Sequence, residues 1–93
     1  MEITYEFVRS VFDYDPEGFL VWKSSLNNQF AGKRAGGVDK NGYWYVQLTR
    51  FKKKVPAHRL IFLWHHGFMP KMVDHANRVR TDNRIENLRI IKI

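Results

Sequence analysis

Ninety-three residues, 44% hydrophobic and 15% aromatic, suit one small domain with a modest core and exclude a chain disordered throughout. Without cysteine there is no disulfide framework, thiolate zinc site or Cys nucleophile, and a domain this small often leans on a bound metal or a partner instead. The formal charge of +7 is uneven: residues 1–20 set five acids against Arg9, and residues 21–93 set fifteen Lys and Arg against four acids, which favours a polyanionic partner.

In chain order, residues 3–12 place Tyr5, Phe7, Val8 and Phe12 at helical spacing with Glu2 and Glu6 near the start, which predicts a short amphipathic helix. Asp15-Pro16-Glu17-Gly18 is turn chemistry, and residues 19–22 read as a buried strand. Residues 24–37 are polar and glycine-containing and read as an exposed loop carrying Lys33 and Arg34. An Asn41-Gly42 hairpin signal precedes a strand over 43–50, where Trp44, Val46 and Leu48 alternate with Tyr45, Gln47 and Thr49. Residues 51–54 read as a basic turn into a short strand ended by Pro56. A helix is expected over 57–66, with Leu60, Ile61 and Trp64 on one face and Gly67 as its stop. Strands are expected over 72–75 and 88–93, with a loop between them. The longest apolar run, residues 60–64, is too short for a signal peptide or a membrane span, so the expected location is the bacterial cytoplasm.

The chemistry concentrates in Val73-Asp74-His75-Ala76-Asn77 and Thr81-Asp82-Asn83-Arg84-Ile85-Glu86-Asn87-Leu88-Arg89. Asp74 is a hard oxygen ligand suited to one Mg²⁺ or Mn²⁺ ion. His75, on the other side of an extended segment or twisted away from it in a bulge, can take a proton from water without competing for that ion. Its ring needs an orienting hydrogen bond, for which a backbone carbonyl is expected, and Asn87 is placed to tie the loop to the second strand. Acid and imidazole are expected to line one cationic groove that receives a sugar-phosphate strand. Asp-His alone is a common dipeptide; the full string at this spacing is not.

Residues 18–92 resemble the small phage-type HNH endonucleases, including HNH homing endonucleases. The resemblance rests on Gly42-Tyr43, Ala57-His58-Arg59-Leu60, Gly67, Pro70, Val73-Asp74-His75 and Asp82-Asn83-Arg84-Ile85-Glu86-Asn87-Leu88-Arg89. It implies a ββα-metal unit: a strand with Asp-His, a loop, a strand after Asn-Leu-Arg, then a helix. It makes Asp74 the first metal ligand, His75 the general base and Asn87 the middle Asn. The family's third motif residue, an Asn or His on the closing helix, would fall just past Ile93, so a C-terminally truncated unit without that helix is expected.

For phosphate contacts, Arg78, Arg80 and Arg84 in the motif loop are the first candidates. Lys52, Lys53 and Lys54 would track the backbone from their turn, with Lys33 and Arg34 as weaker candidates. Trp22, Trp44 and Trp64 read as core rather than stacking platforms, with Tyr45 suited to either. His58, His65 and His66 read as structural, since their spacing does not bring them to one ion, and His58-Arg59 is placed to touch the hairpin or a phosphate.

The expectation is an α+β fold with an N-terminal helix, a small three-stranded antiparallel sheet and a ββα-metal motif without its final helix. It forms one HNH-like domain over 1–93, with a helix and hairpin scaffold over 1–66 and the HNH hairpin over 67–93. The expected function is metal-dependent cleavage or nicking of double-stranded DNA in a phage-infected bacterial host, weakened by the absent third residue. One site addresses one strand, so a monomer would nick, and a homodimer is a further arrangement. The alternative is an inactive phage protein of the same descent that binds DNA or a host protein without cutting. No membrane partner is expected.

Overall fold

The computed structural model describes residues 3–23, 30–48 and 51–91. The first part of the loop expected over 24–37, positions 49 and 50 of the strand expected over 43–50, and the last two residues of the strand expected over 88–93 lie outside the described residues.

Helix α1 (Tyr5–Val11) starts where the Thr4 hydroxyl accepts from the Phe7 N–H at 3.0 Å, and it buries Val8 and Val11. It ends one residue earlier than periodicity suggested, because Phe12 is extended (φ −126°, ψ 143°) and begins strand β1 (Phe12–Asp15). β1 pairs antiparallel with β2 (Phe19–Trp22), Phe12 opposite Trp22, and the two rings pack 4.6 Å apart. Sequence periodicity missed β1 because Phe12 also continues the apolar stripe of the helix. The connecting turn is as expected, with the Gly18 N–H donating to the Asp15 carbonyl at 2.8 Å and the Glu17 N–H to the Asp15 carboxylate at 2.9 Å.

A three-stranded antiparallel sheet follows in the order β3 (Gly37–Val38), β4 (Trp44–Leu48), β5 (Lys53–Pro56). The β3–β4 turn is built on Asp39: its carbonyl accepts from Gly42 N–H at 3.1 Å, its carboxylate accepts from Asn41 N–H at 2.9 Å, and Gly42 takes φ +81°. Lys53 and Lys54 lie in β5 opposite Leu48 and Gln47, rather than in a basic turn; the turn residue is Lys52, at φ +52°. Helix α2 (Ala57–His66) runs as expected into left-handed Gly67, whose N–H donates to the Leu63 carbonyl at 2.9 Å. It packs against α1, β2, β4 and β5 and buries Ala57, Leu60, Ile61, Phe62 and Leu63 at the centre of the core. Trp64 is half-buried at the rim, its indole N–H donating to the Phe12 carbonyl at 3.0 Å.

The last unit is a two-stranded antiparallel ribbon, β6 (Val73–His75) and β7 (Leu88–Ile90), with a single 3₁₀ turn at Ile85–Asn87 before β7. The fold is therefore α+β, as expected; a helix closing the ribbon would begin beyond the described residues. No helix among the described residues is long and apolar enough to cross a membrane.

The β1–β2 unit is the back wall of the site-bearing loop. Tyr14 Oη accepts from the Ile85 N–H at 2.9 Å, and Gly18 meets the backbone of residues 83 and 84. Gly18 is buried at φ +98°, and a Cβ there would sit 2.5 Å from Arg84 N and 2.8 Å from Asn83 C. Gly18→Ala is therefore expected to destabilise the fold by an amount on the order of 1–3 kcal/mol or more, read as a lower urea midpoint. A change within about 0.5 kcal/mol, the usual size for an innocuous surface substitution, would show that this contact relaxes freely.

Candidate functional site

Strand alternation puts Asp74 and His75 on opposite faces of β6. On the outer face, Asp74 stands directly across from Arg89, whose Nε and Nη2 donate to Asp74 Oδ2 at 3.1 and 2.9 Å. Both side chains are solvent-accessible, so the pair adds little to stability and can be exchanged for another partner. The Arg89 hydrogen bonds, with Arg78 also nearby, hold the Asp74 carboxyl below the usual carboxylate range. Asp74 is thus an ionised, accessible oxygen donor at neutral pH.

On the inner face, His75 keeps only 5% of its surface. Its Nε2 lies 2.7 Å from Asn83 Oδ1; an amide oxygen only accepts, so Nε2 is the donor in this hydrogen bond. The His58 ring meets the His75 ring edge to face, centroids 4.9 Å apart and planes at 72°. Tyr43 closes the cluster, 6.1 Å from His58 and 6.4 Å from His75. Burial, with His75 and Arg59 alongside, pushes the His58 imidazole down to about 4, so it is neutral at pH 7. Asn83 is fully buried, and both neighbours of the His75 ring carry a buried nitrogen without a hydrogen-bond partner, His58 Nδ1 and Asn83 Nδ2.

The loop from Ala76 to Arg84 is held by side chains. Asn87 Oδ1 accepts from the Asn77 N–H at 3.1 Å, while Asn87 Nδ2 donates to Asn77 Oδ1 at 3.0 Å and to the Asp82 carbonyl at 2.8 Å. Asn77 Nδ2 donates to Asp82 Oδ2 at 2.7 Å. Arg84 grips both oxygens of the same carboxylate at 2.7 and 2.8 Å, and these bonds hold Asp82 far below the ordinary carboxylate range. Asn87 is therefore the tie of the loop.

Two expectations need correction. Asp74 and His75 do not line one open groove, because the pleat turns the imidazole into the core as it turns the carboxylate outward. The group on the His75 ring is the Asn83 side chain, not a backbone carbonyl. Among the expected phosphate contacts, Arg34 pairs with Asp15 and Glu17, its guanidinium 3.9 Å over the Phe19 ring, and Arg84 pairs with Asp82. Arg80 lies 4.9 Å over Tyr43 and donates to the Asn41 carbonyl at 2.8 Å, tying the β3–β4 turn to the motif loop. Arg78, in a left-handed conformation at φ +63°, and Lys33, Lys52 and Lys53 are exposed; Lys54, also exposed, lies 4.8 Å over Tyr45. Of the histidines read as structural, His65 Nδ1 sits 2.8 Å from the Ile61 carbonyl, while His58 joins the site.

Sequence reasoning gave neither Asn83 nor His58 a part in the site. Asn83 lies in the motif string but reads equally well as a turn cap. Nothing in the spacing of His58 points across 17 residues to His75, although Ala57-His58-Arg59-Leu60 was among the stretches carrying the resemblance.

No group of three or more His, Cys, Asp or Glu among the described residues could hold a metal ion. One accessible carboxylate fits a hydrated ion of the Mg²⁺ type, which keeps several waters and takes substrate phosphate oxygens, and does not fit a protein-caged ion. Residues 55–93 match the family model described as HNH endonuclease. No curated protein and no solved structure matches the chain.

The depressed His58 gives a pH dependence with a definite sign. The unfolded imidazole takes its proton near the ordinary 6.5 and the folded one only near 4, so within that window the unfolded state binds more protons. Burial also lowers His65. Stability is expected to be complete above about pH 6.5 and to fall as pH drops toward 4. Urea midpoints at pH 7.5 and 5 check this, and His58→Gln should flatten the slope; equal midpoints for the native chain would contradict it.

Proposed function

We propose, from the premise that residues 55–93 are an HNH endonuclease unit, that the protein hydrolyses DNA phosphodiester bonds one strand at a time. His75 acts as the general base, Asp74 holds one Mg²⁺ or Mn²⁺ ion, and Asn87 holds the loop that follows them. The observation that carries this reading is β6 itself: an ionised, accessible carboxylate on one face and a hydrogen-bonded imidazole on the other, from adjacent residues.

The basic body draws the duplex in by releasing counterions, and exposed Arg78 beside Asp74 offers a phosphate contact. Arg89 transfers from Asp74 to a phosphate oxygen as the strand arrives, which frees the carboxylate. The divalent ion, when bound, neutralises charge on the scissile phosphate and on the leaving oxygen. The proton of the attacking water passes to the His75 imidazole as its oxygen bonds to phosphorus. The bond from phosphorus to the leaving sugar oxygen breaks, and that oxygen takes a proton from solvent. Because the pleat turns the His75 ring away from Asp74 and nearly closes it to solvent, this step requires the scissile phosphate to reach both faces at the end of β6, with the water held against the ring rather than drawn freely from bulk.

A second reading is a scaffold that binds DNA or a host protein without cutting. It is favoured by the same burial of His75 and by the Asp74–Arg89 pair, which together can serve as structural contacts alone. Nicking of supercoiled plasmid with Mg²⁺ or Mn²⁺ separates the two. Cleavage abolished by a chelator, lowered on the order of 10²–10⁴-fold by His75→Ala and lost in Asp74→Asn is the expected result. Retained DNA binding with no nicking at any metal concentration would establish the scaffold instead.

A further inference from the structure

We propose that Asn83 is the positioning residue of the His75 base, holding the proton on Nε2 and leaving Nδ1 to receive the proton of the attacking water. This deepens the nuclease reading and rests on it for its kinetic part. A fully buried amide is tolerated when its polar atoms are paired, yet Asn83 keeps its Oδ1 on His75 and leaves Nδ2 without a partner. An apolar side chain would avoid that penalty, so the amide is poor for packing alone and well suited to fixing a ring.

The neighbours complete the hold. His58 abuts the His75 ring edge to face, and burial keeps His58 neutral, so it adds no proton of its own at pH 7. Asn83 is itself held from behind: the backbone of residues 83 and 84 rests on Gly18, and the next N–H, that of Ile85, is bonded to Tyr14 Oη. The acceptor therefore has a fixed address set by the β1–β2 unit, more than 60 residues away in sequence. With Nε2–H committed to Asn83, the lone pair is on Nδ1, and the ring cannot exchange its two nitrogens without breaking a buried hydrogen bond.

The test uses the whole chain with ¹⁵N-labelled histidine and long-range ¹H–¹⁵N correlation at pH 8, where imidazoles of ordinary basicity are neutral. Native His75 should show Nε2 protonated and Nδ1 bare. Asn83→Leu, which keeps the branched shape of the side chain and removes the acceptor, should give mixed tautomers and a kcat about 10- to 100-fold lower with little change in KM. Asn83→Asp, which keeps an acceptor oxygen, should retain the Nε2–H tautomer and recover most of the kcat.

A native proton on Nδ1 overturns the proposal, as does an Asn83→Leu protein with unchanged tautomer and kcat. If Asn83→Leu does not fold, a folded Asn83→Asp that loses the tautomer or the kcat overturns it equally. A native chain with the expected tautomer that nicks nothing overturns the nuclease reading and the catalytic role together. Nicking that depends on His75 but not on Asn83 overturns the positioning role alone.

Discussion

The hydrogen bond between the His75 ring and the Asn83 amide, closed to solvent, is the constraint around which the C-terminal half is arranged. A buried imidazole must find a partner, and a buried amide must as well. Each solves part of the other's problem across eight residues of loop. Asn87, Asn77 and Asp82 then keep that loop in the one shape that brings position 83 back over β6. If the partners were on the surface, water would serve either of them and the loop would have no preferred path.

The pleat of β6 separates two electrostatic environments within a single dipeptide. Asp74 faces outward to Arg89, where charge is screened and partners can be traded. His75 faces a cluster of packed rings, where burial holds the His58 imidazole neutral and a ring orientation is expensive to change. In the mechanism proposed above, the first environment would suit an ion that comes and goes, and the second a base held in one tautomer.

The acidic N-terminal segment is not a separate electrostatic face. Asp15 and Glu17 take up Arg34, a cation that would otherwise belong to the basic body, and Tyr14 and Gly18 reach the motif loop. The short β1–β2 unit thus neutralises one charge and supports the position of Asn83. Other exposed cations, among them Lys33, Lys40, Lys52, Lys53, Lys54, Lys71 and Arg78, lie on the turns, loops and edge strand of the basic body.

What the sequence determined by itself was local. The helix over 57–66 with its glycine stop follows from apolar spacing and a left-handed cap, the alternation of β4 from its pleat, and the opposite facing of Asp74 and His75 from their adjacency. Asn87 as the tie of the loop was legible for the same reason, since its partners lie within ten residues. Only the tertiary structure decided that Arg34 goes to Asp15 and Glu17, that His58 abuts His75, and that Asn83 rather than a carbonyl faces the ring. Those meetings depend on how separate elements register in space, and residue spacing along one chain carries no record of which distant polar group will be buried beside which.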